Sequence, residues 1–201
     1  MSKNNYLIGI DEVGRGPVAG PVTICAFKIL ESKYEKLLAE NFFDKLRDSK
    51  KLSEKKREEW FAKFAELENQ KIIEYSCLSK TAGDIDAIGI SICIQKLITE
   101  TLQELKVVPT DKIFLDGSLN APAEFPNQET IIKGDEKIPV ISCASIIAKV
   151  LRDRKMTQFH AEFPEYGLDQ HKGYGTSKHM EAIKKHGVSK IHRLTYLKNL
   201  R

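Results

Sequence analysis

Tyr6-Leu7-Ile8-Gly9-Ile10-Asp11-Glu12-Val13-Gly14-Arg15-Gly16-Pro17 decides how the rest of this 201-residue chain is read. A β-type run from Tyr6 to Ile10 ends on two acids and passes into a stretch whose Gly and Pro content makes it a turn. The acidic pair is therefore expected at a strand end. Val22 to Leu30, rich in β-branched and aromatic residues, reads as a neighbouring strand across a short loop. The same arrangement recurs further on. Lys112-Ile113-Phe114-Leu115 delivers Asp116 and Gly117, and Thr130-Ile131-Ile132 delivers Gly134 and Asp135. Three times an apolar run ends on an acid.

Between and after these strands the pattern turns helical. Ser53 is a suitable N-cap for a helix to about Glu68, with Trp60, Phe61, Phe64 and Leu67 at helical spacing. Lys71 to Leu78 reads as another strand, and Ile90 to Leu105 as a helix with Ile90, Ile94, Leu97, Ile98, Thr101 and Leu105 on one side. Val140 to about Phe163 predicts a helix closed by Pro164, and Thr176 to His186 one with Thr176 as N-cap and Gly187 just past its end. Five strands, with a helix between the later ones, predict an α/β fold: a mixed sheet flanked by helices, with a helical C-terminal part. No repeat, low-complexity tract or linker divides the chain. Residues 1–201 are expected to form one domain, with 176–201 a short C-terminal helical segment.

Composition narrows the class. Hydrophobic residues make up 41% and charged residues 30%, which is globular rather than disordered or fibrous. No run approaches the ~20 apolar residues of a membrane span, and the start lacks a secretory pattern. Cys25, Cys77, Cys93 and Cys143 lie far apart without a Cys-x-x-Cys pair, so reduced thiols and a cytoplasmic protein are expected, and a structural zinc site is not. Charge is uneven: Lys133 to Arg201 holds 14 Lys and Arg against 7 Asp and Glu, together with all five histidines. Such a basic part suits a polyanionic partner as well as an ordinary solvated face.

Asp11, Glu12, Asp116 and Asp135 brought to one sheet edge would repel one another and raise one another's pKa unless cations bound among them. Hard divalent ions, Mg²⁺ or Mn²⁺, suit all-oxygen donors, and a two-ion site is the usual clamp on a phosphodiester. Gly14, Gly16 and Gly20 miss the dinucleotide spacing by one residue, and Pro17 does not open a helix, so a nucleotide-dependent oxidoreductase is disfavoured. Glycines on both sides of Arg15 instead let a ligand backbone come close, with a guanidinium ready for phosphate, although a plain tight turn reads equally well. Ser49-Lys50-Lys51 before a helix, Ser145, Lys149 and Arg152 at i, i+4 and i+7, and His171-Lys172 beside Tyr174 are what a phosphate track with a stacking ring would look like.

Six ordered blocks then carry a resemblance. They are Gly9 to Val22, Asp48-Ser49-Lys50-Lys51-Leu52-Ser53, Leu115-Asp116-Gly117, Lys133-Gly134-Asp135, Ala144-Ser145-Ile146-Ile147-Ala148-Lys149-Val150 and His171-Lys172-Gly173-Tyr174. Together they closely resemble bacterial ribonuclease HII along nearly the whole chain. The resemblance implies a ribonuclease H-like fold. It also implies an endonuclease that cuts the RNA strand of RNA–DNA hybrids and nicks 5′ of single ribonucleotides in duplex DNA, leaving 3′-hydroxyl and 5′-phosphate ends. The family's four metal-binding acids fall on Asp11, Glu12, Asp116 and Asp135, with Asp11 as the candidate bridge between two ions. Its ribonucleotide-reading loop falls on Gly14, Arg15 and Gly16, and its junction-sensing tyrosine on Tyr174.

Departures are few. Cys143 replaces a small alanine, and the chain stops soon after His192-Arg193, so a longer C-terminal helix used by some members is expected to be reduced. Ribonuclease HIII has a different residue between the loop glycines, a Glu as fourth acid and an extra leading domain; Arg15, Asp135 and the expected absence of a leading domain favour HII. A non-catalytic hybrid binder would have no use for four acids beside a polyanion. The expected partners are RNA–DNA hybrid and ribonucleotide-containing duplex, with no membrane. A monomer is expected, and a sliding-clamp contact is left open.

Overall fold

The computed structural model describes residues 5–44, 46 and 52–198. At its centre is β1 (Tyr6–Val13), hydrogen-bonded antiparallel to β2 (Val22–Leu30) on one side and parallel to β4 (Lys112–Asp116) on the other. β3 (Ile73–Lys80) and β5 (Gln128–Ile131) complete the five-stranded order β3-β2-β1-β4-β5.

Alternation along the strands feeds two apolar layers. Ile8, Ile10 and Ile24 pack with Leu97 and Ile98 of α4 (Ile90–Glu104) on one face. On the other, Leu7 and Phe27 meet Trp60 and Phe64 of α2 (Glu54–Asn69), and Ile146 and Ile147 of α6 (Pro139–Glu162). A third apolar cluster joins Met156 of α6 to Tyr166, Leu168, Ile183, Ile191 and Leu197, so the last third of the chain packs on the end of that helix.

Most predicted elements are present, with shifts that have local causes. β1 runs three residues past Ile10, because β2 keeps pairing with it as far as Val13 opposite Thr23. Asp11 and Glu12 are thus inside the strand and not beyond it. Lys71 adopts φ 56°, turning the chain before β3 begins. Sequence reading did not predict α1 (Glu31–Ala39), whose only buried residue is Leu37, nor α3 (Ala82–Ile88), although Thr81 and Asp84 form a capping box there. Two four-residue helices were also not predicted, α5 (Gly134–Lys137) and α7 (Leu168–His171). The N-caps Ser53 and Thr176 are as expected; the latter starts α8 (Ser177–His186), which Gly187 follows. All four cysteines are free, three of them buried and Cys77 partly exposed. Among the described residues no helix is long and apolar enough to cross a membrane.

Candidate active site

Parallel pairing sets Ile10 beside Leu115, so the next residues, Asp11 and Asp116, stand on adjacent strands at the same level. The chain after β5 brings in the fourth acid. Asp116 Oδ1 accepts the Gly134 amide at 2.6 Å and the Asp135 amide at 3.3 Å, which fixes the first turn of α5 against the end of β4. Asp135 is wholly buried there. Asp11, Glu12 and Asp116 line a cleft of about 410 Å³, together with Gly14, Arg15, Gly16, Ser145, Lys149, Tyr174 and Arg57.

The electrostatics are those of a site awaiting positive charge. Burial pushes the Asp11 carboxyl up to about 8; a Ser145 hydrogen bond opposes this, the Asp116 charge adds to the rise, and the Glu12 amide at 2.7 Å opposes it again. Glu12 lies 3.4 Å from the Arg15 guanidinium. Among the described residues no trio of His, Cys, Asp or Glu is arranged to hold an ion as it stands. The donor chemistry, all carboxylate oxygen with the Asp11 carboxyl pushed toward its neutral form by burial, does fit a hard divalent cation.

The glycine loop is held from beneath by two buried guanidinium groups. Arg193 donates to the carbonyls of Gly14 (2.6 Å), Arg15 (3.0 Å) and Gly20 (2.9 and 3.0 Å). Arg152 donates to those of Pro21 (2.9 Å), Ala19 (3.3 Å) and Lys172 (3.0 Å). Burial lowers both pKa values, that of Arg152 to about 10, with the neighbouring Arg193 charge as its second cause. Gly14 has φ +86°, and a Cβ there would lie 2.2 Å from Arg152 Nε. Gly16 differs: a Cβ would meet only Tyr174 Cε1, at 3.8 Å.

These contacts correct one expectation. Arg152 shares a helix with Ser145 and Lys149 but is 1% exposed, and its nitrogens are taken up by main-chain oxygens; it props the loop and does not face a phosphate. Lys149 faces the cleft, paired with Asp153 at 2.7 Å. His171 accepts the Gly173 amide at Nδ1 and donates from Nε2 to the Tyr166 carbonyl at 2.7 Å, while its ring stacks on His179 at 4.3 Å. Lys172 adopts φ 51° and places its Nζ 3.4 Å from Thr157 Oγ1. Tyr174 is 48% exposed at the cleft. Ser49, Lys50 and Lys51 lie outside the described residues. Sequence reading missed Arg57 and Arg193, one an unremarked charge on an amphipathic helix, the other marked only by partners far away in the chain.

A mixed sheet in this order, with acids side by side on adjacent parallel strands, defines the ribonuclease H-like class. Solved structures agree. The ribonuclease H2 of Pyrococcus horikoshii OT3 superimposes with TM-score 0.75 at 28% identity, covering 97% of this chain and 96% of that one. The Archaeoglobus fulgidus enzyme, solved as a PCNA:RNase HII complex, gives 0.72 at 27%, with the same coverage. Bst-RNase HIII in complex with Mn²⁺ shares the fold at 19% identity, with TM-score 0.71 over 96% of this chain and 67% of that one.

Within that class the chain belongs to the ribonuclease HII family, whose profile matches residues 8–199. Ribonuclease HII of Clostridium botulinum strain Loch Maree is 43% identical over 202 residues, 98% of this chain and 70% of that protein. The Clostridium perfringens strain SM101 enzyme is 38% identical over 195 residues, 97% of this chain and 68% of the relative. The protein is therefore an endoribonuclease, a hydrolase with ribonuclease H activity on RNA–DNA hybrids.

Proposed function

We propose that this enzyme is a metal-dependent endonuclease that cuts the RNA strand of hybrids and nicks 5′ of a lone ribonucleotide in duplex DNA, leaving 3′-hydroxyl and 5′-phosphate ends. The supporting observation is that the open Gly16 position and the Tyr174 ring face the same cleft as Asp11 and Asp116. Asp11, Glu12, Asp116 and Asp135 would hold Mg²⁺ or Mn²⁺, two ions in all, which when bound activate water and stabilise charge on the leaving oxygen.

The remaining work falls to the chain itself. Main-chain groups around Gly16, free of a Cβ, approach the ribose and exchange hydrogen bonds with its 2′-hydroxyl, at once donor and acceptor. Tyr174 packs on the following sugar, where a deoxyribose presents an apolar face and a ribose adds a hydroxyl. Arg15 and Lys149 counter the backbone phosphates. Arg152 and Arg193 keep the loop in register. We further propose a single catalytic unit that works as a cytoplasmic monomer in removing ribonucleotides from DNA.

The test compares kcat/KM on matched duplexes carrying one, four or no ribonucleotides, with and without Mg²⁺. The expected result is metal-dependent cutting of the first two only. Asp116→Asn is expected to reduce turnover far more than binding, and Tyr174→Ala to reduce single-ribonucleotide cutting more than duplex affinity. Equal cutting of all-DNA duplex, or an unchanged junction preference in Tyr174→Ala, contradicts the reading.

A further inference from the structure

A second cavity, of about 670 Å³, shares no lining residue with the catalytic cleft. It opens between the end of β3, the middle of α6 and the segment around Ile191, and has the volume of a small-molecule site, roughly 300–1,000 Å³. Pro21, Leu151, Phe159 and Ile191 give it an apolar wall. Its charge is of one sign: Lys80, Lys155, Lys190 and Arg152 line it, and no Asp or Glu does.

Those cations are not equally engaged. Lys80 is held by Glu100 at 2.8 Å, and Lys190 lies 3.6 Å from Glu162 in an exposed pair. The Lys155 ammonium sits 4.9 Å from the centre of the Phe159 ring, and no ion pair joins it to a carboxylate of the described residues. Arg152 gives its hydrogen bonds to carbonyl oxygens, so its charge is not neutralised by an acid bound to it. An apolar pocket with uncompensated positive charge at its margin selects a ligand with the opposite sign and an apolar body.

We infer that this cavity is a binding site for a small aromatic anion, its ring body against Leu151, Phe159 and Ile191 and its single acidic group on Lys155 and Lys190. The site backs directly onto the supports of the glycine loop. Pro21, on its wall, accepts the Arg152 Nε hydrogen bond, and the Gly20 amide donates to the Ile191 carbonyl at 2.8 Å. An occupant therefore touches the frame of the loop without entering the cleft. The inference does not depend on the substrate reading above.

Cys77 supplies an internal reporter, since it lines the cavity and is the one partly exposed cysteine among the four. The probe is 8-anilinonaphthalene-1-sulfonate, an aromatic monoanion. Fluorescence titration of the full chain is expected to show one saturable site, and bound probe to slow Cys77 alkylation by iodoacetamide at least fivefold by peptide mass spectrometry. Lys155→Glu with Lys190→Glu, both at exposed positions and checked for an unchanged far-ultraviolet circular dichroism spectrum, is expected to weaken probe binding at least tenfold. Lys184→Glu with Lys185→Glu, an equal change in net charge outside the cavity, is expected to leave it unchanged, as is Asp116→Asn in the cleft. Binding that survives the Lys155/Lys190 reversal, or that leaves Cys77 alkylation unaltered, overturns the assignment.

Discussion

His179 Nδ1 donates to the carbonyl of Tyr174 at 2.9 Å, so the exposed ring at the cleft hangs from a buried imidazole. The bond belongs to a chain. Ser189 donates its amide to His192 Nδ1 at 3.0 Å, and His192 Nε2 therefore donates to His179 Nε2 at 3.2 Å. Each link needs a neutral ring in one tautomer. Burial pushes His179 down to about 4, against the pull of the Tyr174 carbonyl and with help from His171 and His192, and burial lowers His192 as well.

From this follows a pH dependence of stability with a definite sign. A histidine whose folded pKa lies below its unfolded value near 6.5 takes up its proton first in the unfolded chain. Stability is full above pH 6.5 and is lost as pH falls toward 4. For His179 alone the loss between pH 7 and pH 5 is about 2 kcal/mol. Urea unfolding at the two pH values measures it, and His179→Gln should flatten the difference.

Arg193→Lys should damage catalysis and stability together. A lysine keeps the charge but cannot serve the carbonyls of Gly14, Arg15 and Gly20 in one plane. Leaving buried carbonyls unpaired costs about 1–3 kcal/mol. A lower Tm with at least a tenfold fall in kcat/KM is expected; activity at the wild-type level well below Tm would show that the loop needs no such support.

The two loop glycines should separate. Gly14→Ala forces a Cβ against Arg152 and Pro21 in a left-handed backbone, and is expected to lower Tm by several degrees. Gly16→Ala has room in the free protein, so its Tm should match wild type while cutting of hybrid and of single ribonucleotides both fall. Thermal melts beside steady-state kinetics decide the matter.

Salt dependence of duplex binding should locate the phosphate contacts. Lys149 and Arg57 both face the cleft and both reach Asp153, at 2.7 and 3.6 Å. If each neutralises one phosphate, Lys149→Ala with Arg57→Ala reduces the log–log salt slope by about 1.8 in magnitude. An unchanged slope would move the contact surface elsewhere.

The three strands that lead to the acids were legible because each carries an apolar run with its own stop, although only β4 ends on its acid. Asp11 beside Asp116 was a stronger inference than any single motif, yet the parallel register that aligns them is set by partners about a hundred residues apart. Arg152 was misplaced for an instructive reason. Spacing of i, i+4 and i+7 shows that residues share a helix face but not what covers it, and the loop at Ala19 to Pro21 covers this one. Arg193 had no local signal at all, since its bonds reach main-chain oxygens that every residue possesses. Glu12 lies inside β1 and not beyond it because β2 continues to pair as far as Val13, and Asp135 lies in the short helix after β5, neither of which a local pattern announces.

The contacts of Arg193 with Gly14 and Arg15 also order events in time. During synthesis the four acids have all been made by residue 135, yet the loop beside them is not tied until residue 193 emerges and closes circuits of 178 and 179 residues. Contacts so distant in sequence form late and slowly. A growing chain would thus carry its carboxylates for some time before it carries a set loop, and competence to cut would wait on Arg193.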